Sequence, residues 1–272
     1  MRQEWNAIYA SYRSKSLMSG MVIGVDQHIL DVTDKKTRLV EKRELNSLIV
    51  VNYRIKILIP ETELWIPGDE RPAFAARSMV GSKIEYVILE VDREGECAIA
   101  SRRMALGAKR HFFSRDKHTV GEKLTCRMLA VGAKLCSVEC NGYDMVLTQR
   151  DLSYTSIADL RERYHPGQEL TCILKYYDAV EGKMEISVKE VNPNPFVNAD
   201  IRHPVGSRRQ AVISGKYAGG VFCTLPDDII VLCLYCAQHS DIDFCMGDTV
   251  ILVILYYDYS RELIYGKILS KW

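Results

Sequence analysis

Short runs in which apolar and polar residues alternate recur along most of this chain. In "KIEYVILEVD", Ile84, Tyr86 and Ile88 alternate with other positions, the period-two mark of a strand with one buried face. The run is written three times, as "VGSKIEYVILEVD", "PGQELTCILKYYD" and "MGDTVILVILYYD". Their glycines, Gly81, Gly167 and Gly247, stand 86 and 80 residues apart. Each run continues into a turn, "DREGE", "DAVEGK" or "DYSREL", and then into a second strand closing on "IASRR", "ISVKE" or "ILSKW". Asp suits the head of such a turn because its carboxylate accepts a backbone N–H two residues on. Each phrase therefore predicts a β-hairpin.

Each hairpin has an upstream half that opens on another glycine-marked strand, at Gly20, Gly121 and Gly206. From opening glycine to hairpin glycine the spans are 61, 46 and 41 residues, so the first unit carries an insertion, most simply "DVTDKKTRLVEKREL". Between the halves lie further strand patterns, "SLIVVNYRIKILIP", "KLCSVECNGYDMVLT" and "GVFCTLPDDIIVLCLY", with "NG" and "PDD" as turn signals. Five short strands per unit, three times over, predict an all-β chain of three small antiparallel barrels. The expected organisation is a first repeat within 1–106, a basic linker at 107–118, a second repeat at 119–191, a Pro-rich linker at 192–204 and a third repeat at 205–272. "VNPNPFVNADIRHPVG" reads as a semi-stiff spacer, whereas "GAKRHFFSRDKH" has no proline and suits a helix. Ahead of the first repeat, Trp5, Ile8, Tyr9 and Tyr12 form one apolar helical stripe, for packing on the first barrel or for docking a partner.

Composition narrows the picture. The chain is 47% hydrophobic and 26% charged with net charge +1, so it has no general basic field for polyanions. No apolar run approaches the ~20 residues of a membrane span. The first residues lack the apolar core of a secretory signal, and a cytoplasmic setting is expected. Charge is uneven: net −1 over 1–101, +5 over 102–118, −3 over 119–201 and zero over 202–272. The positive stretch "RRMALGAKRHFFSRDKH" interleaves cations with Phe112 and Phe113, a composition that fits either a nucleic-acid surface or a solvated linker helix. Nine cysteines are expected to be free thiols in a reducing compartment. "CLYC" (Cys233 to Cys236), with Cys223, His239 and Cys245, has a zinc-like spacing, but on a strand residues three apart face opposite ways. Core packing and metal binding are both carried forward, with core packing favoured and no metal or cofactor assigned.

The order of glycine strand, hairpin and "vG..v...Il.vD.e...i.lS.k" resembles the RNA-binding repeat named after bacterial ribosomal protein S-one, a five-stranded OB-fold barrel. "YRIKILIPETEL", "SRRMAL", "VNPNPF" and the opening "WNAIYASYRSKSLMSG" are similar to segments in and around those repeats. The resemblance implies three tandem OB barrels that bind single-stranded RNA in translation or RNA handling. It implies contacts on second and third strands: Tyr53, Arg54 and Lys56 in the first unit, Lys134 and Tyr143 at matching places in the second, and Phe222 with Tyr217 in the third, where Arg208 and Lys216 supply charge nearby. Phe222 matches the family's second-strand aromatic. Gly219 stands where a loop aromatic is usual, with Tyr217 as a substitute, and Cys236 replaces a third-strand histidine. Arg102, Arg103, Lys109 and Arg110 of the basic joint complete the candidates. Protein docking, on the ribosome or another complex, and single-stranded DNA binding are the alternatives. No phosphate-cradling loop or "HExxH" is present, and the chain is expected not to be an enzyme.

Overall fold

The computed structural model describes residues 2–33, 40–52, 55–69, 75–155, 157, 159–235 and 241–271. The chain divides into two compact units, residues 1–151 with 158–191, and residues 152–157 with 192–272.

The first unit opens with helix α1 (Arg2–Ser14), whose Trp5 and Ile8 enter the core of the first barrel. That barrel closes in the order β1 (Met18–Thr33), β2 (Val40–Asn52), β3 (Ile55–Pro60), β5 (Cys97–Ser101), β4 (Lys83–Asp92). The long insertion of the first repeat mostly lengthens one hairpin. The β1–β2 ladder runs from Val22↔Val50 out to Thr33↔Val40. A short helix α2 (Ala75–Ser78) precedes β4, and helix α3 (Arg102–Phe113) follows β5. This single helix crosses the expected boundary at 106/107.

The rest of the unit is a five-stranded sheet ordered β10 (Lys183–Ser187), β9 (Glu169–Asp178), β6 (Lys123–Val131), β7 (Leu135–Cys140), β8 (Tyr143–Thr148). In the second unit β11 (Arg208–Tyr217), β12 (Gly220–Thr224), β13 (Ile230–Leu234), β15 (Leu263–Lys271) and β14 (Thr249–Asp258) form another closed barrel.

All three sheets share one strand order, the Greek-key order of an OB-like barrel. In the outer two the third and fifth strands pair in parallel, through Lys56↔Cys97 to Leu58↔Ile99 and Val231↔Ile264 to Cys233↔Gly266. In the middle one, β8 and β10 do not pair with each other, and a cleft of about 520 Å³ is lined by Tyr143–Leu147 and Gly182–Ser187. Two closed barrels and one open sheet thus replace the three barrels expected. One residue correlates with closure. Eight positions after the turn Asp stand Ala100, Ile186 and Gly266. A Cβ on Gly266 would lie 2.7 Å from Val231 Cγ1 and 3.1 Å from the Val253 carbonyl, so the closed seam leaves little room for a branched side chain there.

The thrice-written phrase has one backbone meaning. Gly81, Gly167 and Gly247 have φ of +89°, +85° and +86°, which only glycine adopts without strain. From there each donates its N–H to its unit's first strand, at the Val22, Met128 and Ile213 carbonyls. Those same residues donate back to the carbonyls of Ser82, Gln168 and Asp248. The turn carboxylates act as the pattern requires. Asp92 accepts from the N–H groups of Glu94 and Gly95, Asp178 from Val180 and Glu181, and Asp258 from Ser260 and Arg261. "NG" makes a two-residue turn with both φ positive, at Asn141 and Gly142.

The Pro-rich segment is not a free spacer. Phe196 packs against the third barrel's core, Ala199 is buried in it, and the Tyr257 hydroxyl donates to the carbonyls of Ala199 and His203. One aromatic and one buried alanine outweigh the stiffness that the prolines suggest.

Candidate nucleic-acid interface

The basic joint is the first place to look, and its geometry assigns it another task. Ser101 caps α3 by accepting the Met104 N–H. Arg102 then points inward and is 1% exposed. Its guanidinium meets both oxygens of Asp144 at 2.7 Å, donates to the Leu64 carbonyl, and lies 5.3 Å from the Trp65 ring centre. Burial pulls the Arg102 pKa down, but the Asp144 carboxylate more than offsets this and the net shift is upward. Arg103 pairs with Glu63. Lys109 bridges Glu85 at 3.3 Å and Glu139 at 2.8 Å. Arg110 pairs with Asp69, donates to the Gly142 carbonyl at 2.8 Å, and lies over the Tyr143 ring. Arg127 adds pairs to Glu85 and Glu169. Burial raises the Glu85 pKa, but Arg127 and Lys109 outweigh it and leave the carboxyl below its ordinary value.

Glu63, Asp69 and Glu85 come from the first barrel's segment and Glu139 and Asp144 from the middle sheet. The joint is therefore a clamp that fastens the two together. Arg102 is withdrawn as a nucleic-acid contact because it is buried and fully paired. Arg103, Lys109 and Arg110 hold carboxylates at close range, so their charge is largely neutralised where it stands. Part of the clue was in the charge tally: the net +5 joint stands between a net −1 and a net −3 stretch, and it draws acids from both.

The remaining candidates separate in space. Tyr53 and Arg54 lie outside the described residues. Lys56 is half-buried, with Nζ 3.0 Å from His28 Nε2. Tyr143 is buried against Phe113 and Tyr177, and burial followed by the Tyr177 contact pushes its hydroxyl pKa up. It cannot offer a ring face to a base, which corrects its assignment. Lys134 is exposed in the turn between β6 and β7.

The third barrel brings two of its candidates together. Tyr217 and Phe222 are adjacent, ring centres 5.4 Å apart. Glycines make the room: a Cβ on Gly219 would stand 2.8 Å from the Tyr217 ring, and one on Gly215 would stand 3.3 Å from Phe222. Arg208 and Lys216 are exposed, and Lys216 Nζ donates to the Phe244 carbonyl at 2.7 Å. Residues 202–272 sum to zero charge, yet the charge is segregated. The five strands hold Arg208, Arg209, Lys216, Lys267 and Lys271 against one acid, Asp258, at the end of β14. The other acids lie on turns and loops, where Asp248 pairs with Lys271 at 2.5 Å. Counting residues along the sequence hid this, because it averaged strand with loop.

Cys223 and Cys233 are buried in the third barrel's core, as a small hydrophobe is placed. Cys236 and His239 lie outside the described residues. Among the described residues no group of three or more His, Cys, Asp and Glu is arranged to hold a metal ion. No helix there is long and apolar enough to cross a membrane.

Comparison with known proteins then bears on the repeats. No family model matches the chain. Small ribosomal subunit protein bS1 of Neisseria meningitidis serogroup B is 22% identical over 239 residues, 79% of this chain and 41% of that protein. Its counterpart in Pseudomonas aeruginosa is 21% identical over 193 residues, 66% of this chain and 34% of that protein. The repeat pattern of this chain is thus similar to that of ribosomal protein bS1. The chain spans about two-fifths or less of the length of these bS1 relatives. It is also 25% identical over 200 residues to 4-hydroxy-3-methylbut-2-enyl diphosphate reductase of Clostridium acetobutylicum, a match covering 70% of this chain and 30% of that protein.

Proposed function

We propose that this chain is a non-catalytic, cytoplasmic binder of single-stranded RNA, made of three tandem OB repeats whose middle member is open along one seam. The reading rests on the bS1 relatives and on one observation above the rest: the segregated charge of the third barrel. The exposed strand cations Arg208, Lys216 and Lys267, on the barrel that also carries the Tyr217–Phe222 pair, supply the two ingredients that single-strand binding needs, phosphate neutralisation and ring faces for bases. The first unit has its helix α3 cations engaged internally, which favours a second role for that part, docking on a ribosomal or other protein partner. Translation or RNA handling is the setting that the bS1 relatives suggest.

The test is fluorescence anisotropy of the whole chain with labelled, unstructured RNA and DNA oligomers at two salt concentrations. RNA affinity should fall with salt at a log–log slope of about −0.7 per neutralised phosphate. Phe222→Ala should weaken binding by about 1–3 kcal/mol. Absence of RNA binding, with capture of a discrete protein partner, would leave docking as the function of the whole chain.

A further inference from the structure

The outer face of the third barrel carries a row that starts at Phe222 and continues through three residues that the family contacts named above do not include. Phe222 on β12 stands opposite Leu232 on β13, Leu232 opposite Tyr265 on β15, and Tyr265 opposite Tyr256 on β14. Partners in register point to the same side of a sheet. None of the four belongs to the interior cluster of Val221, Cys223, Val231, Cys233, Ile254 and Ile264, so the row faces outward. Leu232 is nonetheless 7% exposed, because its neighbours' side chains cover it. Tyr256 and Tyr265 stack at 4.5 Å with an interplanar angle of 11°, and Tyr256 is 51% exposed. Leu234, two residues after Leu232, is 54% exposed.

A solvent-facing sheet surface ordinarily alternates to polar residues, and a contiguous apolar patch there marks a binding surface. Two features say what binds. The next row across the same face is Arg208↔Val253↔Lys267, which places two exposed cations beside the rings. Neither forms an ion pair among the described residues. The barrel is also closed, so it offers no free strand edge to an extended peptide. Ring faces flanked by cations, on a face whose only strand acid is tied into a turn, fit a polyanion with flat apolar groups.

Resting on the RNA-binding reading, we propose that the stacking surface of the third barrel does not end at Phe222 but crosses the sheet to Tyr265 and Tyr256, with Arg208 and Lys267 along its phosphate side. The row crosses three strand spacings, about 14 Å at ~4.8 Å each. The bound strand therefore runs across the β-strands rather than along them. The tyrosine pair supplies ring area on the far side from Gly219, where this barrel lacks a loop aromatic.

The experiment is anisotropy of the full chain with an unstructured RNA oligomer, comparing Phe222→Ala, Tyr256→Ala, Tyr256→Phe, Tyr265→Leu and Lys267→Gln. Circular dichroism confirms that each variant is folded. Tyr256→Ala should lose about 5-fold or more in affinity, and Tyr256→Phe should retain it, because the ring face is what acts. Lys267→Gln is exposed and leaves the core untouched, so it reports even where Tyr265→Leu fails to fold. It should reduce the salt slope by about 0.7. If Phe222→Ala weakens binding while Tyr256→Ala and Lys267→Gln leave it unchanged, the extended row is wrong and the RNA-binding reading stands. If the intact chain binds no RNA, that reading fails and the row fails with it.

Discussion

Removing Asp144 is the sharpest perturbation of the clamp. Arg102 sits in the protein interior with its guanidinium held on both oxygens of that carboxylate, and both side chains are essentially excluded from water. Taking away one partner leaves a buried charge with one carbonyl bond, to Leu64, and the Trp65 ring. Breaking a buried pair in this way costs about 3–5 kcal/mol. Against a total of about 5–15 kcal/mol for a domain, that is a large fraction. Asp144→Ala should therefore lower the urea midpoint of the first unit sharply. Replacing both charges, as in Arg102→Met with Asp144→Leu, should recover most of the loss, since neither side then has a charge to desolvate. Trp5 and Trp65 belong to this unit, so tryptophan fluorescence in a Trp272→Phe background reports on it. A loss below about 1 kcal/mol for Asp144→Ala would mean that Arg102 reaches water or another acid, and the clamp would be misassigned. RNA affinity provides the second readout. Arg102→Met in the double variant should leave it unchanged, because a guanidinium 1% exposed cannot reach a phosphate.

Three further outcomes are expected. Exchanging Arg103 and Lys109 for glutamine together should lower the same urea midpoint while leaving the salt slope of RNA binding unchanged; a reduced slope would return those residues to the nucleic-acid surface. Gly247→Ala should destabilise the third barrel by about 1–2 kcal/mol, because at φ +86° an alanine Cβ crowds its own following carbonyl although the space around it is open, and differential scanning calorimetry would register it. The hydrogen bond from Ser260, with the backbone bonds at the same turn, holds the Asp258 carboxyl below its ordinary value, and backbone bonds do the same for Asp178. A depressed carboxylate adds stability that is complete above the unfolded value of about 3.9 and is lost as pH falls through the lower folded value. Asp258→Asn should flatten that acid limb in a thermal melt as the pH falls below about 4, and an unaltered limb would refute the assignment.

The repeat was legible without coordinates because its causes are local. A left-handed glycine, a strand of period two and an aspartate that closes its own turn are each written within a dozen residues, and all three hairpins followed. The turn at Asn141–Gly142 and the apolar stripe of α1 were readable for the same reason. What sequence order could not convey was which side chains would meet. Arg102 and Asp144 are 42 residues apart, and their pairing needs two sheets folded and brought together. A cation count along the chain therefore made the joint look like a ligand surface, when it is a clamp between lobes. The open seam beside Ile186 and the row from Phe222 to Tyr256 are likewise facts of strand order. Neighbours in that order come from distant parts of the chain, so tertiary structure alone decided that one basic segment was consumed internally and that a neutral repeat would turn a cationic, aromatic face outward.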